Sequence, residues 1–188
     1  MKRFGTVLAI GGLLTLGYWV AGHLRSRLYQ VQAEERFARE SPAPVRPEPG
    51  SAIARIEIPR LGMSAMVVEG ADQRSLKLGP GHIRGTAYPG KGGNVGFAGH
   101  RDTFFRPLRH ARESDSIDVT TPNGSYRYTI ASMQVVEPGN VRVLDPTERE
   151  SLTLITCYPF DFLGAAPKRF VIRAERQDYR PIETAGGR

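Results

Sequence analysis

Short apolar runs separated by glycine and proline fill the chain from residue 51 onward, and this pattern predicts β-strands. The runs are Ile53 to Ile58, Ala65 to Val68, Asn94 to Ala98, Ile117 to Thr120, Tyr126 to Val136, Leu152 to Thr156 and Arg169 to Ala174. The turn signal Pro122-Asn123-Gly124 lies between two of them and indicates a hairpin. Two further stretches, Arg74 to Leu78 and Phe104 to His110, predict short helical turns. The pattern is typical of an all-β barrel.

A different pattern precedes this domain. Residues 4–21 carry no charge and are mostly apolar, and they follow Lys2 and Arg3. A helix of this length, at about 1.5 Å per residue, reaches roughly 27 Å, which is close to the thickness of a hydrocarbon core. We therefore predict a transmembrane anchor. A cleaved signal peptide is the alternative, but its small-residue site at 31–33 would lie too far from the apolar segment.

Changes in composition divide the chain into four parts. Residues 1–24 are the predicted cytoplasmic tip and anchor. Residues 25–50 are predicted to form a charged stalk and then a linker, because five of the ten residues 41–50 are proline or glycine. Residues 51–180 form the predicted barrel, and residues 181–188 are a polar tail.

The charge distribution argues against nucleic-acid binding. The formal net charge is +7, and it is spread along the chain without a basic block. Aromatic residues do not alternate with arginine or lysine, so no platform for base stacking is predicted. A mild positive field is compatible with an anionic membrane or cell-wall surface.

Cys157 is the single cysteine of the chain, and it ends the β-branched run Thr153 to Cys157. One cysteine excludes an intramolecular disulfide, which leaves a buried structural thiol or a reactive one. Because an ordinary thiol is only slightly ionised at neutral pH, a reactive thiol needs a base or a cation nearby. His100 and Arg169 are the candidates, 57 residues before and 12 residues after the cysteine. They can converge on Cys157 only if the sheet closes on itself.

Zinc binding is the alternative use of such residues. His82, His100, His110 and Cys157 would supply four ligands. None of them is spaced as in the close pairs that build structural zinc sites, so we expect neither a metal nor a cofactor.

Three segments resemble the motif regions of sortases, the cysteine transpeptidases of bacterial surfaces. They are Thr153-Leu154-Ile155-Thr156-Cys157, Ala98-Gly99-His100, and the arginine of Lys168-Arg169-Phe170. The resemblance covers about residues 51–176, and Gly79-Pro80-Gly81-His82 together with His100-Arg101-Asp102-Thr103 look most like class D enzymes. It implies a closed β-barrel of about eight strands with short helices, preceded by one transmembrane helix that leaves the domain outside the cell.

The resemblance also implies a role for each candidate residue. Cys157 would be the nucleophile, His100 the general acid and base, and Arg169 the cation that stabilises thiolate and oxyanion. Ala98 and Thr156 match positions that bind substrate, and the loop from Tyr158 to Pro167 matches a groove wall.

The implied function is transpeptidation at the outer face of a membrane. Secreted proteins with a C-terminal Leu-Pro-x-Thr-Gly-like sorting signal would be cleaved through a Cys157 thioester, and the acyl group would pass to an amine of a wall precursor or a protein lysine. A membrane-tethered binding module without turnover is the alternative. An L,D-transpeptidase is disfavoured because the Ser-His-Gly-Cys arrangement of that family is absent, and a pilus-building class C enzyme because no Asp-Pro-aromatic lid precedes the barrel.

Overall fold

The structure, a computed structural model, describes residues 2–39 and 47–180. One long helix, α1, comes first, followed by eight strands and four short 3₁₀ helices. The helix is α1 (Lys2–Arg39), and the strands are β1 (Ala52–Ile58), β2 (Met63–Glu69), β3 (Gly81–His82), β4 (Asn94–Ala98), β5 (Ser116–Thr121), β6 (Gly124–Val136), β7 (Ser151–Tyr158) and β8 (Lys168–Arg180). The 3₁₀ helices are Pro59–Leu61, Ser75–Lys77, Arg106–His110 and Val141–Leu144.

The strands form a closed barrel in the order β1, β2, β3, β4, β7, β8, β6, β5. Strands β2 and β3 run parallel, as do β4 and β7, and the other neighbours are antiparallel. The predicted closed barrel of about eight strands is confirmed. The strand missing from the sequence prediction is β3, because two residues beside Gly79 and Pro80 leave no periodic signal.

The barrel interior is filled by alternate residues of each strand, because successive strand side chains point to opposite faces. In β7 the core residues are Leu152 and Leu154, both with no exposed surface. Ile155 and Cys157 therefore point outward. The same alternation in β4 places Val95 and Phe97 in the core and Ala98 on the outer face.

The N-terminal segment is one continuous helix, and its predicted role as a transmembrane anchor is not supported. Among residues 2–39 and 47–180, no helix contains a stretch that is long and apolar enough to cross a membrane. Most of the predicted linker at 41–50 and all of the tail at 181–188 lie outside the described residues.

The second half of α1 docks on the barrel through Gln30. Its side-chain amide donates to the carbonyls of Met66 (3.2 Å) and Leu78 (2.7 Å), and its carbonyl accepts from the Met66 N–H (2.6 Å). Ala33, one turn further on, is buried, and Glu34 forms an ion pair with Arg55 of β1. The helix is thus attached to β1 and β2.

The shortness of β3 explains why a side-chain amide is needed here. The Val68 N–H faces β3 and donates to the Pro80 carbonyl (2.8 Å). Met66, two residues earlier, points its backbone groups to the same side, where β3 does not reach. Gln30 takes the place of the missing strand residue, since buried backbone groups require partners. Gly79 permits the close approach, because a Cβ there would lie 2.8 Å from the Gln30 amide nitrogen.

We predict that Gln30→Ala lowers the free energy of unfolding by about 1 to 3 kcal/mol, because it leaves the backbone groups of Met66 without partners. Gln32→Ala is the matched control, since Gln32 is an exposed glutamine on the same helix. Urea denaturation of the full chain in detergent, followed by circular dichroism, measures the difference. Equal midpoints for the two variants would contradict the docking role.

Candidate active site

Cys157 and Arg169 lie directly opposite each other on neighbouring strands. The antiparallel register of β7 and β8 pairs Ile155 with Val171 and Cys157 with Arg169. Directly paired residues have Cα atoms roughly 5 Å apart and side chains on the same face. The half-buried thiol of Cys157 therefore lies on the outer face of the barrel, and Arg169 lies on the same face.

The backbone before His100 is bonded to the strand that carries Cys157. The Gly99 N–H donates to the Ile155 carbonyl (3.0 Å), and the Thr156 hydroxyl donates to the Gly99 carbonyl (2.7 Å). These bonds continue the parallel pairing of Ala98 with Ile155. His100 therefore follows the end of β4 at a point beside the end of β7, where Cys157 lies.

The ring of Phe105 fixes the turn that contains His100. Phe105 has no exposed surface, and its N–H donates to the His100 carbonyl (3.1 Å). A Cβ on Gly99 would lie 2.6 Å from the Phe105 ring, so only glycine lets the turn close this tightly.

An ion pair holds the far end of the same segment. The Arg60 guanidinium binds the Asp115 carboxylate, and Asp115 also accepts from the Arg112 N–H (2.8 Å). The hydrogen bond from Arg60 lowers the pKa of Asp115, so the carboxylate stays ionised at neutral pH. The segment from His100 to Asp115 is thus fixed at both ends.

The outward side chains of β4 and β7 lie on the same outer face of the barrel as Cys157. Ala98 and Ile155, both partly exposed, lie side by side on this face. Further along, a Cβ on Gly96 would lie 3.0 Å from both Thr86 and Leu144. Those two side chains therefore pack over Gly96 and cover this part of the outer face.

Hydrogen bonds fasten the 3₁₀ helix at Val141–Leu144 to this outer face. The Asn94 amide donates to the Val143 carbonyl (3.1 Å), and so does the Arg173 guanidinium (2.9 Å). Arg173 lies four residues after Arg169 on β8. Strand residues an even number of positions apart share a face, so both arginines lie on the outer face. Burial lowers the pKa of Arg173.

Ala98 and Thr156, the two residues predicted to bind substrate, lie on opposite faces of the barrel wall. Ala98 is partly exposed on the outer face, beside Ile155. Thr156 is only 2% exposed, points to the barrel interior and uses its hydroxyl to hold Gly99. Its contact is therefore with the backbone that positions His100.

Arg169 also fixes the end of the loop that follows Cys157. One of its terminal nitrogens donates to the carbonyls of Ala166 (3.2 Å) and Lys168 (2.9 Å). Its other guanidinium nitrogens have no acceptor among the described residues. They are the donors that a bound carbonyl or oxyanion can use.

Aromatic rings and two arginines shape the loop between β7 and β8. Tyr158, Phe160 and Phe170 pack together, with ring centroids 5.5 to 6.4 Å apart. Arg101 and Arg109 contact the loop from the segment after His100. Sequence reasoning did not single out these two arginines, because only the closed barrel shows that their segment meets this loop.

His82 lies in β3, away from solvent. Its Nδ1 is 3.0 Å from a carboxylate oxygen of Glu69, and its Nε2 is 3.1 Å from the Ala87 carbonyl. Tyr88 stacks on the imidazole with centroids 4.4 Å apart. This histidine therefore holds the loop after β3 to the barrel. In the described parts of the chain, no three His, Cys, Asp or Glu side chains are grouped so that they could hold a metal ion.

Comparison with known proteins identifies the family. Residues 56–177 match the sequence model of the sortase domain. Sortase D of Bacillus subtilis is 35% identical over 135 residues, covering 71% of this chain and 68% of that protein. Sortase SrtE1 of Streptomyces coelicolor is 33% identical over 185 residues, covering 84% of this chain and 53% of that protein.

Solved structures agree with these sequence matches. Sortase D5 of Clostridium perfringens superimposes with a TM-score of 0.71 at 24% identity, covering 82% of this chain and 99% of that one, which shows the shared fold. Sortase E1 of S. coelicolor, solved with a tripeptide in its active site, gives a TM-score of 0.65 at 29% identity over 76% of this chain and 97% of that one. The chain belongs to the sortase family of cysteine transpeptidases, and the predicted resemblance, with class D enzymes among the matches, is confirmed.

Proposed function

We propose that this sortase uses Cys157, His100 and Arg169 to cleave a Leu-Pro-x-Thr-Gly-like sorting signal and to transfer the acyl fragment to an amine. The observation that supports this assignment most directly is the pairing of Cys157 with Arg169 across β7 and β8. The hydrogen bonds of Gly99, which bring the residue before His100 to the same strand end, support it further.

The reaction proceeds through two acyl transfers. The thiolate of Cys157 attacks the threonine carbonyl carbon, the C–N bond to the following glycine breaks, and His100 gives its proton to the leaving amine. An acceptor amine then attacks the thioester and loses a proton to His100, and the C–S bond breaks so that Cys157 leaves as the thiolate. The product is a new amide, so no oxidant, metal or cofactor enters the balance.

Arg169 supplies positive charge and directed donors on the same outer face as the thiol. A guanidinium cannot act as a base, so its contribution is electrostatic. The guanidinium nitrogens that do not bond loop carbonyls donate to the oxyanion that forms on the attacked carbonyl.

The peptide lies in a groove whose floor is Ala98 and Ile155, with its scissile bond at Cys157. Ala98 contributes a small side chain to the floor, which leaves room for the peptide backbone. Thr156 acts indirectly, because its hydroxyl fixes the Gly99 carbonyl.

The N-terminal helix attaches the enzyme to the outer face of the cell membrane, where secreted proteins with sorting signals arrive. Large apolar side chains are exposed along its first half: Ile10, Leu13, Leu14, Leu16, Tyr18, Trp19, Val20 and Leu24. A contiguous apolar surface of this kind favours lipid over water. Wall-precursor amines or protein lysines at the same surface are the acceptors.

Cys157→Ala should abolish cleavage of a fluorescent sorting peptide while changing the free energy of unfolding by no more than about 2 kcal/mol, because it removes one half-buried sulfur. Peptide fluorescence and urea denaturation measure the two effects. Residual turnover in a folded alanine variant would remove Cys157 as the nucleophile.

Arg169→Lys should lower turnover at least about tenfold, or roughly 1.4 kcal/mol of transition-state stabilisation, because lysine keeps the charge but loses the planar fork. Arg127→Lys is the matched control, since Arg127 is exposed on β6 and bonds Asp118. Steady-state kinetics with the same peptide compare the two. Turnover like that of the control would reduce Arg169 to a general cation.

Removal of residues 2–24 should move the protein from the membrane fraction to the soluble fraction, because it deletes the exposed apolar half of the helix and keeps Gln30. Cell fractionation in a neutral buffer, without an alkaline wash that would strip surface-bound proteins, tests this attachment. A full-length chain that stays soluble would contradict it.

A further inference from the structure

The loop after Cys157 has little backbone structure of its own. Within residues 159–164, the hydrogen bond between backbone groups is the one from the Phe162 N–H to the Pro159 carbonyl (3.4 Å). Leu163 at its tip is 95% exposed. Contacts from outside must therefore define the shape of this loop.

Arg101 provides the largest set of these contacts. Its guanidinium donates to the carbonyl oxygens of Pro159 (3.0 Å), Phe162 (2.6 Å) and Gly164 (3.0 Å). Three acceptors from six consecutive residues thus converge on one side chain. A planar guanidinium with several fixed donors suits this arrangement, whereas an ammonium group presents a single point of charge.

Arg109 adds a second attachment to the loop. It pairs with Asp161 (2.9 Å), and its guanidinium lies 5.5 Å from the centre of the Phe160 ring. The Asp161 side chain is 81% exposed, so water weakens this ion pair. The half-buried Arg101, with three backbone acceptors, is the stronger constraint.

The position of Arg101 in the chain connects two parts of the site. Arg101 directly follows His100, and its first acceptor, Pro159, lies two residues after Cys157. One side chain therefore ties the segment of the acid and base to the loop that borders the thiol.

We propose that Arg101 is a positioning residue that holds loop 159–164 as a preformed wall for the sorting peptide. This inference rests on the proposed function. The guanidinium acts through the loop and not on the reacting atoms, because all three of its acceptors are loop carbonyls. Its loss raises KM for the peptide and leaves the intrinsic reactivity of the thiol in place.

The test compares Arg101→Ala with Arg106→Ala in the full chain. Arg106 is an exposed arginine of the same segment, and its side chain makes no hydrogen bond among the described residues, so it is a matched control. Hydrogen–deuterium exchange measures protection of the loop amides. Peptide cleavage gives KM and kcat, and alkylation by iodoacetamide reports the thiol without needing a peptide site.

We expect faster exchange of the Phe162 amide, which is the loop amide with a backbone acceptor, and a rise of at least about tenfold in KM for Arg101→Ala, because misplacement of a binding wall costs productive orientation. The change in kcat and the alkylation rate should each stay within about threefold, and Arg106→Ala should match the wild type. If the alanine variant does not fold, Arg101→Lys replaces it, with the same direction and a smaller effect.

Unchanged exchange in the loop would overturn the inference, as would faster exchange with an unchanged KM. A parallel loss of kcat and alkylation would also overturn it, because it would place Arg101 at the reacting atoms. A wild-type chain that alkylates but cleaves no sorting peptide would overturn the proposed function, and the substrate role of Arg101 with it. The exchange data would still show separately whether Arg101 holds the loop.

Discussion

The position of β7 between β4 and β8 is the constraint on which the rest of the site depends. Parallel pairing with β4 brings the turn of His100 to the end of β7, and antiparallel pairing with β8 sets Arg169 opposite Cys157. A register shift of one residue in either pair would turn the outward side chains into the core. Leu152 and Leu154, which are fully buried, prevent such a shift because their removal from the interior would cost several kcal/mol.

A second layer of contacts fixes the segments that surround these strands. Thr156 and Phe105 fix the turn of His100 from inside the barrel, and Asn94 and Arg173 hold the wall at Val141–Leu144. Gln30 attaches the N-terminal helix to the edge that β3 leaves open. The second half of the helix is therefore part of the folded domain. Whatever binds the first half of the helix also sets the orientation of the barrel.

The sequence predicted the fold well where local patterns carry the information. Strand β4 was predicted at its observed bounds, and β7 within two residues at its C-terminal end, because their apolar runs are clearly bounded. Strand β3 was missed because two residues have no period, and its existence depends on the neighbouring β2 and β4. Thr156 was assigned to the substrate from the sortase resemblance, and this remains a prediction; its inward position follows from alternation along β7 and the burial of its neighbour Leu154. The loop contacts of Arg101 and Arg109 depend on contacts between segments some sixty residues apart, which no local pattern encodes.

Intact-protein mass spectrometry of the full chain with a sorting peptide tests whether Cys157 forms the acyl intermediate. We expect a covalent adduct with the mass of the peptide up to its threonyl acyl group, located by digestion on Cys157. Hydroxylamine or an acceptor amine should remove the adduct, because a thioester is open to attack by nitrogen nucleophiles. Peptide cleavage without an adduct on Cys157, or an adduct on another residue, would contradict the account.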